Sequence, residues 1–413
     1  MSGKGFRQVF RNRNYLLLWF GQTISQIGDA VSLVAMPLLV FELTNSVTEL
    51  TLTFVIEAIP WILIGPIAGV FIDRVDRKKL LIATDAIRAV LISSVFFIDQ
   101  IWMIYVIAFL MQTMATINTP VRSAIIPELL DKELYVKAIG LSHTTFQTVQ
   151  VIGPFLAAGL LSLSGGPRPV FLLDALTFLV CVAMALAMRF PDGAARGEKK
   201  TESAADTFAQ MVQVGAKFLV THPVMRYITS INLLKAAVQA LVLIGSLLYV
   251  KTTLAMTGTA GDRMYSLVIA AMAVGVISGT LLIGTFEKRL QRRWLIVGGL
   301  MLQGTMLLLV QTEPGQVSLF FLFLIAGFGA SGAMTPVSAF YAETTPNEIR
   351  GRVYSMTNSM LRIASLCAYL AAGPIGERYG AVALLTGTAA LLLIGTPLCT
   401  LLLRGFRVLR PKL

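Results

Sequence analysis

Long runs of apolar residues, separated by short polar segments, make up most of this sequence. The runs reach the length of about 20 residues that an α-helix needs to cross the hydrocarbon core of a bilayer. Their polar and apolar positions do not alternate, so the strands of a membrane barrel are excluded. The pattern predicts twelve transmembrane helices, at residues 15–42, 47–72, 80–99, 101–121, 138–163, 169–189, 225–250, 264–286, 294–311, 316–342, 353–376 and 380–403.

The composition is that of a membrane protein rather than a soluble one. Of the 413 residues, 56% are hydrophobic and only 14% are charged, whereas about a quarter of the residues in a soluble domain are charged. The net charge of +12 does not indicate nucleic-acid binding, because the basic residues are spread between the apolar runs instead of lining one face. We therefore predict an all-α integral membrane protein that contacts the lipid bilayer and binds no nucleic acid.

The distribution of basic residues predicts the orientation in the membrane. Most of the 34 Lys and Arg residues fall at the two termini and in every second loop, all on one side. The opposite side holds only Arg168, Lys251, Arg263 and Arg378. Because positively charged loops stay in the cytoplasm, we expect both termini to be cytoplasmic.

The chain divides near its middle, at residues 191–224. This segment begins polar and rich in Gly and Ala, which predicts a flexible cytoplasmic linker. It then becomes amphipathic, with Phe208, Val212 and Ala216 about a turn apart, so we expect a helix on the membrane surface. The segment separates an N-terminal half of six helices, residues 1–190, from a C-terminal half of six, residues 225–413.

An internal repeat relates the two halves. Three segments of the first half match segments of the second at an offset of about 215 residues. They are Gly69–Leu80 with Gly284–Leu295, Thr119–Val121 with Thr335–Val337, and Phe155–Gly159 with Tyr369–Gly373. Two halves that both start in the cytoplasm are typical of transporters with a pseudo-two-fold axis along the membrane normal. A substrate site between the halves is expected.

Several short motifs carry a family resemblance. The pattern G-x-x-x-D-R-x-x-R-K lies between spans 2 and 3, an Asp and an Arg follow in span 3, and a Gly-Pro pair with small residues lies in span 5. These motifs are Gly69, Asp73, Arg74, Arg77 and Lys78; Asp85 and Arg88; Thr119 and Pro120; and Gly153 and Pro154. With them the chain resembles the major facilitator superfamily (MFS) of transporters, and within it the branch of macrolide-efflux proteins and enterobactin exporters.

The resemblance implies a function as well as a fold. It implies a secondary active transporter, a proton-coupled exporter or antiporter of amphipathic or lipophilic molecules such as drugs or macrolides. Such a protein would confer multidrug resistance from the cytoplasmic (inner) membrane of a bacterium. The loop from Gly69 to Lys78 would act as a gate, and Gly153 with Pro154 would form the helix-packing motif of antiporters.

Ionisable residues inside the predicted spans are candidates for the work of transport. Insertion of a charged side chain at the centre of a transmembrane helix costs about 2.5–3.5 kcal/mol. Such residues are therefore retained only where they have a charged partner, face a water-filled cavity or take part in function. Asp85 and Arg88 are three residues apart, so we predict that they pair with each other in a structural or gating role. Asp174 lies near the outer end of span 6 and is predicted to reach the interface. The full set is Asp29, Glu57, Asp85, Arg88, Asp174, Lys235 and Arg362.

Polar stripes at helical spacing run along four spans. They line the substrate cavity or hydrogen-bond between helices. The resemblance implies that spans 1 and 7 line the cavity, while spans 5 and 11 form its walls and gates. The stripe residues are Gln22 and Gln26 beside Asp29 in span 1, Gln147 and Gln150 in span 5, Asn232, Lys235 and Gln239 in span 7, and Asn358 and Arg362 in span 11.

Asp29 or Glu57 is the predicted proton-coupling carboxylate, because a carboxylate removed from water binds protons more readily. A basic partner such as Lys235 or Arg362 would oppose this. The sequence also departs from the family, since span 4 of many proton-coupled relatives carries an Arg. Here Met111 and Gln112 occupy that region.

Other kinds of activity find no support in the residues. There is no Walker A sequence to bind ATP, no cysteine and histidine set to bind a metal, and no nucleophile and base at motif spacing. We therefore predict no enzyme, no cofactor and no metal, and a monomer whose partners are a small-molecule substrate and protons. Three alternatives stay open: a lysophospholipid transporter or a siderophore transporter of the same fold, and a transporter-like sensor that moves nothing. The G-x-G-x-x-G pattern from Gly327 to Gly332 is interpreted as a helix-packing face.

Overall fold

A computed structural model gives the architecture of the chain. It describes seven stretches, within which every regular element is a helix and none is a strand. The stretches are residues 8–65, 75–130, 132–189, 204–286, 291–346, 349–403 and 405–408.

The helices follow the predicted order. In the first part of the chain they are α1 (Arg13–Thr44), α2 (Val47–Leu63), α3 (Arg77–Ser94), α4 (Ile101–Leu129), α5 (Lys132–Ser164) and α6 (Arg168–Ala187). In the second part they are α7 (Ala204–Thr221), α8 (Pro223–Leu248), α9 (Gly258–Phe286), α10 (Arg292–Leu308), α11 (Gln316–Thr344), α12 (Arg350–Leu402) and the short α13 (Gly405–Val408). A π-helical turn, Tyr249–Thr253, continues α8.

Ten of these helices are long and apolar enough to cross a membrane. One of them, α12, holds two spans, because Gly380 breaks it with φ 80° and ψ 178°. The described part of α2 has 17 residues and completes a set of twelve among the described residues. The predicted all-α membrane fold is confirmed.

Polar residues between the apolar runs set the helix boundaries. The Asn12 side chain accepts a hydrogen bond from the Tyr15 backbone N–H at the start of α1, and Asp76 does the same for Lys79 at the start of α3. Such caps satisfy backbone donors that have no partner within the helix. Asn45 ends α1 in the left-handed conformation, a frequent helix stop.

The predicted end of span 4 is wrong in a way that misplaces a charged residue. Span 4 was expected to end at residue 121, before Arg122, but α4 continues to Leu129. Val121, Ile125 and Ile126 in this extension are buried, so the apolar face of the helix extends past the arginine. Arg122 therefore lies within a helix rather than in a loop.

The described helices pack into two compact units. The first comprises Met1–Asn45 and Ile56–Ala204, the second Ser46–Val55 and Ala205–Leu413, so α2 contributes residues to both. In the first unit, α1 packs on α5 and α6, and α3 packs on α4 and α6. The predicted division into residues 1–190, 191–224 and 225–413 stays a prediction.

In the second unit, glycines allow unusually close helix packing. A Cβ atom added at Gly327 of α11 would lie 2.0 Å from the Met272 carbonyl oxygen of α9. One added at Gly332 would lie 2.6 Å from the Leu295 carbonyl oxygen of α10. The G-x-G-x-x-G pattern is thus the packing face of α11, since any side chain there would collide with a neighbouring backbone.

The amphipathic helix predicted after the linker is α7. It belongs to the second unit, where a Cβ at Gly215 would lie 2.9 Å from the Arg352 carbonyl oxygen of α12. The polar linker itself, residues 191–203, lies outside the described residues. The membrane-surface position of α7 stays a prediction.

Candidate functional site

A group of buried charges lies within the first unit. Asp29 of α1 and Arg88 of α3 form an ion pair, with the guanidinium Nη2 2.6 Å from the carboxylate Oδ1. The Arg88 side chain is 8% exposed, whereas that of Asp29 is 41% exposed. The guanidinium also lies over the ring of Phe178 of α6, 4.1 Å from its centroid. A carboxylate and an aromatic face together stabilise a cation that has little access to water.

Asp85 of α3 has different partners. Arg122 of α4 approaches it to 3.3 Å, and the Asn118 side-chain amide donates a hydrogen bond to its Oδ1 over 2.9 Å. Asp85 is 1% exposed. The prediction that Asp85 pairs with Arg88 is therefore wrong. Both residues lie on α3, but the neighbouring helices α4 and α1 place oppositely charged groups closer to each of them.

Asp174 of α6 is buried as well, with 2% exposure. Its Oδ2 accepts a hydrogen bond from the Ser32 hydroxyl of α1 over 2.5 Å, and its Oδ1 accepts one from Thr177 over 3.1 Å. A Cβ at Gly28 would lie only 2.1 Å from Oδ1, so the missing side chain makes room for the carboxylate. The prediction that Asp174 reaches the interface is wrong, since α1 covers it.

The remaining predicted residues of the first unit lie on α1, α2 and α5. Gln22 lines a small cavity together with Asp85, Arg122 and Cys181. Gln26 is half-buried, and its Oε1 accepts no hydrogen bond from any described residue. On α2 and α5, Glu57 and Gln147 are half-buried and Gln150 is exposed. Gly153, next to Pro154, packs closely on α1, since a Cβ added to it would lie 2.5 Å from the Cβ of Ala30.

In the second unit, the predicted polar residues lie on α8 and α12, which pack against each other. The Ser365 hydroxyl donates a hydrogen bond to the Ala236 carbonyl over 3.4 Å. Lys235 is next to Ala236 in the chain, and Arg362 lies one turn before Ser365. The contact between Ala236 and Ser365 therefore places the two bases at similar heights along the packed helices α8 and α12. Lys235, Arg362 and Asn232 are half-buried, whereas Gln239 and Asn358 are exposed.

Two ion pairs tie helix ends together at positions related by the internal repeat. Arg77 at the start of α3 pairs with Glu128 at the end of α4. Arg292 at the start of α10 pairs with Glu343 at the end of α11, over 2.7 Å. Both residues of the second pair lie about 215 positions after those of the first, the offset found in the sequence. Glu128 and Glu343 were not among the predicted site residues, although this offset could have identified them.

Only part of the predicted gating loop is described. Gly69, Asp73 and Arg74 lie outside the described residues. Lys78 donates hydrogen bonds to the carbonyls of Leu186, over 3.2 Å, and Met188, over 2.6 Å. These bonds join the start of α3 to the end of α6, and with Arg77 they make this end of the first unit a meeting point of three helices.

Arg122 and Asn118 are functional candidates that the sequence did not single out. The sequence pattern ends span 4 before Arg122 and so predicts that this residue lies in a loop. Asn118 was not recognised because a single buried amide inside an apolar run has no distinguishing pattern. Met111 and Gln112 occupy the middle of α4, as expected, but Arg122 supplies a base about three turns further along the same helix.

Twelve spans with buried ion pairs are typical of a membrane transporter, because charges inside a bilayer are retained chiefly on transport pathways. This defines the class of protein. The chain belongs to the Major Facilitator Superfamily, whose family model matches residues 18–366 and, in a second match, residues 237–412. It is a multi-pass membrane transporter and not an enzyme.

Two characterised relatives are efflux proteins. Macrolide efflux protein A of Streptococcus pyogenes is 25% identical over 385 residues, which cover 89% of this chain and 90% of that protein. The multidrug efflux pump Tap of Mycolicibacterium fortuitum is 21% identical over 376 residues, covering 88% of this chain and 90% of that pump. Among solved structures, the nucleoside transporter NupG aligns with a TM-score of 0.67 at 15% identity, over 96% of this chain and 98% of that one. This last likeness concerns the fold alone.

Proposed function

We propose that the protein is a proton-coupled exporter, an antiporter that moves amphipathic or lipophilic small molecules such as drugs or macrolides out of the cell by alternating access. Residues 1–190 and 225–413 form the two halves that move, joined by the segment 191–224. The names of the efflux relatives favour export of such molecules.

The observation that carries proton coupling is the buried charge group of the first unit. Three carboxylates, Asp29, Asp85 and Asp174, lie there with two guanidinium groups, Arg88 and Arg122. An unbalanced charge away from water is costly, so one proton is the simplest means of balancing this group. If transport involved no proton exchange, a third carboxylate beside only two guanidinium groups would have no evident role.

The predicted coupling residues take roles consistent with this proposal. Asp29 belongs to the charge group, and its ion pair with Arg88 couples its charge state to the charge of the rest of the group. Glu57 of α2 lies outside it and is a second candidate for proton binding. The substrate-contacting residues proposed here are the polar stripes of α1, α5, α8 and α12: Gln22, Gln26, Gln147, Gln150, Asn232, Lys235, Gln239, Asn358 and Arg362.

The gate proposed at the cytoplasmic side consists of the loop from Gly69 to Lys78 and the start of α3. The ion pair of Arg77 with Glu128 supports this, because it joins the ends of two helices that meet there. We further propose that the protein is a monomer in the cytoplasmic membrane of a bacterium, with both termini in the cytoplasm. A cysteine-labelling experiment on intact cells, with single cysteines placed near each terminus, tests the orientation.

Reconstitution into liposomes with an imposed pH gradient tests the proposed function. The substrate panel contains macrolides, cationic dyes, siderophores and lysophospholipids. Flux of a drug or macrolide that depends on the gradient, and that stops when a protonophore collapses it, is the expected result. Flux of a siderophore or lysophospholipid alone would favour the corresponding alternative. Binding of a ligand without flux of any kind would favour a sensor.

A further inference from the structure

Asp174 is the carboxylate of the buried charge group that has no cationic partner among the described residues. Asp29 is paired with Arg88 and Asp85 with Arg122, whereas no described ion pair includes Asp174. Its carboxylate is held by two hydroxyl groups, those of Ser32 and Thr177. With both pairs formed, the group carries one uncompensated negative charge if Asp174 is ionised and none if it binds a proton.

The surroundings of Asp174 suit both protonation states. The Ser32 hydroxyl, 2.5 Å from Oδ2, donates a hydrogen bond to a carboxylate and accepts one from a carboxylic acid, because a hydroxyl does both. The Thr177 hydroxyl has a second acceptor, the Asp174 carbonyl oxygen at 2.7 Å, so it stays bonded in either state. A site with a fixed cation would lack this freedom.

Arg88 of α3 contacts both α1 and α6. Its guanidinium contacts Asp29 and also lies over Phe178, one helical turn after Asp174. Arg88 is 7% exposed, yet its Nε–H has no acceptor among the described residues. The Nε–H of Arg122 also lacks a described acceptor, but Arg88 is the base that lies one helical turn from Asp174 along α6, so an ionised Asp174 would provide its missing acceptor. The ionisable groups that act on Asp174 from the helices packed against α6 are Asp29 of α1 and Arg88 of α3.

We propose that Asp174 binds the transported proton and that Arg88 then neutralises Asp29, while loss of the proton draws Arg88 to Asp174 and frees Asp29 to bind a cationic substrate. This rests on the proposed proton-coupled export and adds to it a substrate class, amphipathic cations. Asp29 suits the second role because its side chain is 41% exposed. Proton and cation exclude each other, since one guanidinium serves two carboxylates, and this exclusion is the requirement for antiport.

The exchange keeps charge in balance. When Asp174 releases its proton to water, the group gains one negative charge, and the bound substrate cation at Asp29 restores neutrality. When a proton returns to Asp174, Arg88 returns to Asp29 and displaces the cation. Each cycle thus moves one proton against one singly charged cation through the same unit.

Binding of tetraphenylphosphonium to the purified full-length protein in detergent tests this inference without transport. In wild-type protein we expect binding to weaken by up to about tenfold for each pH unit of acidification, the limit for a single competing proton. We also expect release of up to one proton per bound cation in weakly buffered solution. Uncharged triphenylphosphine oxide should show neither effect.

Asp174→Asn imitates the protonated state and keeps the shape of the side chain. It should bind tetraphenylphosphonium weakly at every pH and release no proton. The control is Asp99→Asn, because Asp99 is exposed and pairs with Arg168 away from this group; it should behave as wild type. Proton release by Asp174→Asn equal to that of wild type would overturn the inference, as would cation binding by wild-type protein that does not depend on pH.

A second variant guards against misfolding of the first. Thr177→Val removes a hydroxyl that stabilises the ionised carboxylate, so proton release on cation binding should extend to higher pH than in wild type. An unchanged pH range would count against Asp174.

If liposomes show no gradient-driven flux while these binding results hold, proton-coupled export fails and the proton site stands. Gradient-driven flux together with pH-independent binding would instead uphold proton-coupled export and overturn the proton site.

Discussion

Two adjacent glycines of α10, Gly298 and Gly299, allow the helix packing of the second unit to be tested with a matched pair of variants. A Cβ at Gly299 would lie 2.4 Å from the Gly329 carbonyl oxygen of α11 and 2.9 Å from the Gly332 Cα. A Cβ at Gly298 would meet nothing within 4 Å. The same change, Gly to Ala, therefore collides at one position and meets open space at the next.

The expected magnitude follows from the distances. A carbon atom rests about 3.3 Å or more from a carbonyl oxygen, so Gly299→Ala requires α10 and α11 to separate by about 1 Å. Overpacking of this kind costs about 1–3 kcal/mol. Replacing Gly by Ala inside a helix gains up to about 1 kcal/mol, and this gain is common to both variants. Gly298→Ala should therefore be neutral or stabilising, and the difference between the variants should be about 1–3 kcal/mol.

Reversible unfolding of the purified protein in mixed micelles, with increasing fractions of a denaturing detergent, measures both free energies. Thermal melting followed by tryptophan fluorescence gives an independent ranking. Equal stability of the two variants, to within about 0.5 kcal/mol, would refute close α10–α11 packing. A larger loss for Gly298→Ala would refute it more directly, because that position faces no neighbour.

Three further changes test other parts of the structure. Asp85→Asn leaves Arg122 buried beside an uncharged amide and should lower the free energy of unfolding by about 3–5 kcal/mol, whereas Asp99→Asn on the exposed surface should change it by less than about 1 kcal/mol; detergent unfolding compares them. Gly380→Ala should destabilise by about 1–3 kcal/mol, because its φ of 80° with ψ of 178° is a conformation open almost only to glycine, and thermal melting measures this. Glu57→Gln should retain gradient-driven flux in liposomes, because no described contact joins Glu57 to the buried charge group; loss of flux would make Glu57 the coupling residue instead.

The number of spans was predictable from the sequence because hydrophobic length is a property of each segment alone. About 20 apolar residues cross a bilayer whatever their neighbours are, so the runs could be counted without knowing how they pack. The end of span 4 was not predictable in the same way. Arg122 signals an interface when taken alone, and it stays inside α4 because Asp85 of another helix balances its charge.

The pairing of the buried charges depends on the arrangement of helices, which no local pattern contains. Spacing of three residues allowed Asp85 and Arg88 to pair, but each has a partner on a neighbouring helix instead. The position of Asp174 near the outer end of span 6 predicts that it reaches the interface, but the fold buries it. Its burial comes from Gly28 and Ser32 of α1, at positions whose relation to Asp174 the sequence does not reveal.

The internal repeat separates what both halves share from what one half does alone. The ion pair of Arg77 with Glu128 has its counterpart in the second half, in Arg292 with Glu343. The shared ion pair agrees with the proposal that helix ends open and close in both halves.

The two charges buried on α3 have no such counterpart. At the same offset of about 215 residues, Asp85 and Arg88 of α3 correspond to Leu300 and Gln303 of α10, both buried and both uncharged. The second half therefore folds without charges at these positions, so packing alone does not require them in the first half either. Since a buried charge is retained in a membrane for a task rather than for stability, the asymmetry favours a first half that handles protons. Lys235 and Arg362, the two bases on the polar stripes of the second half, then serve a different purpose from Arg88 and Arg122.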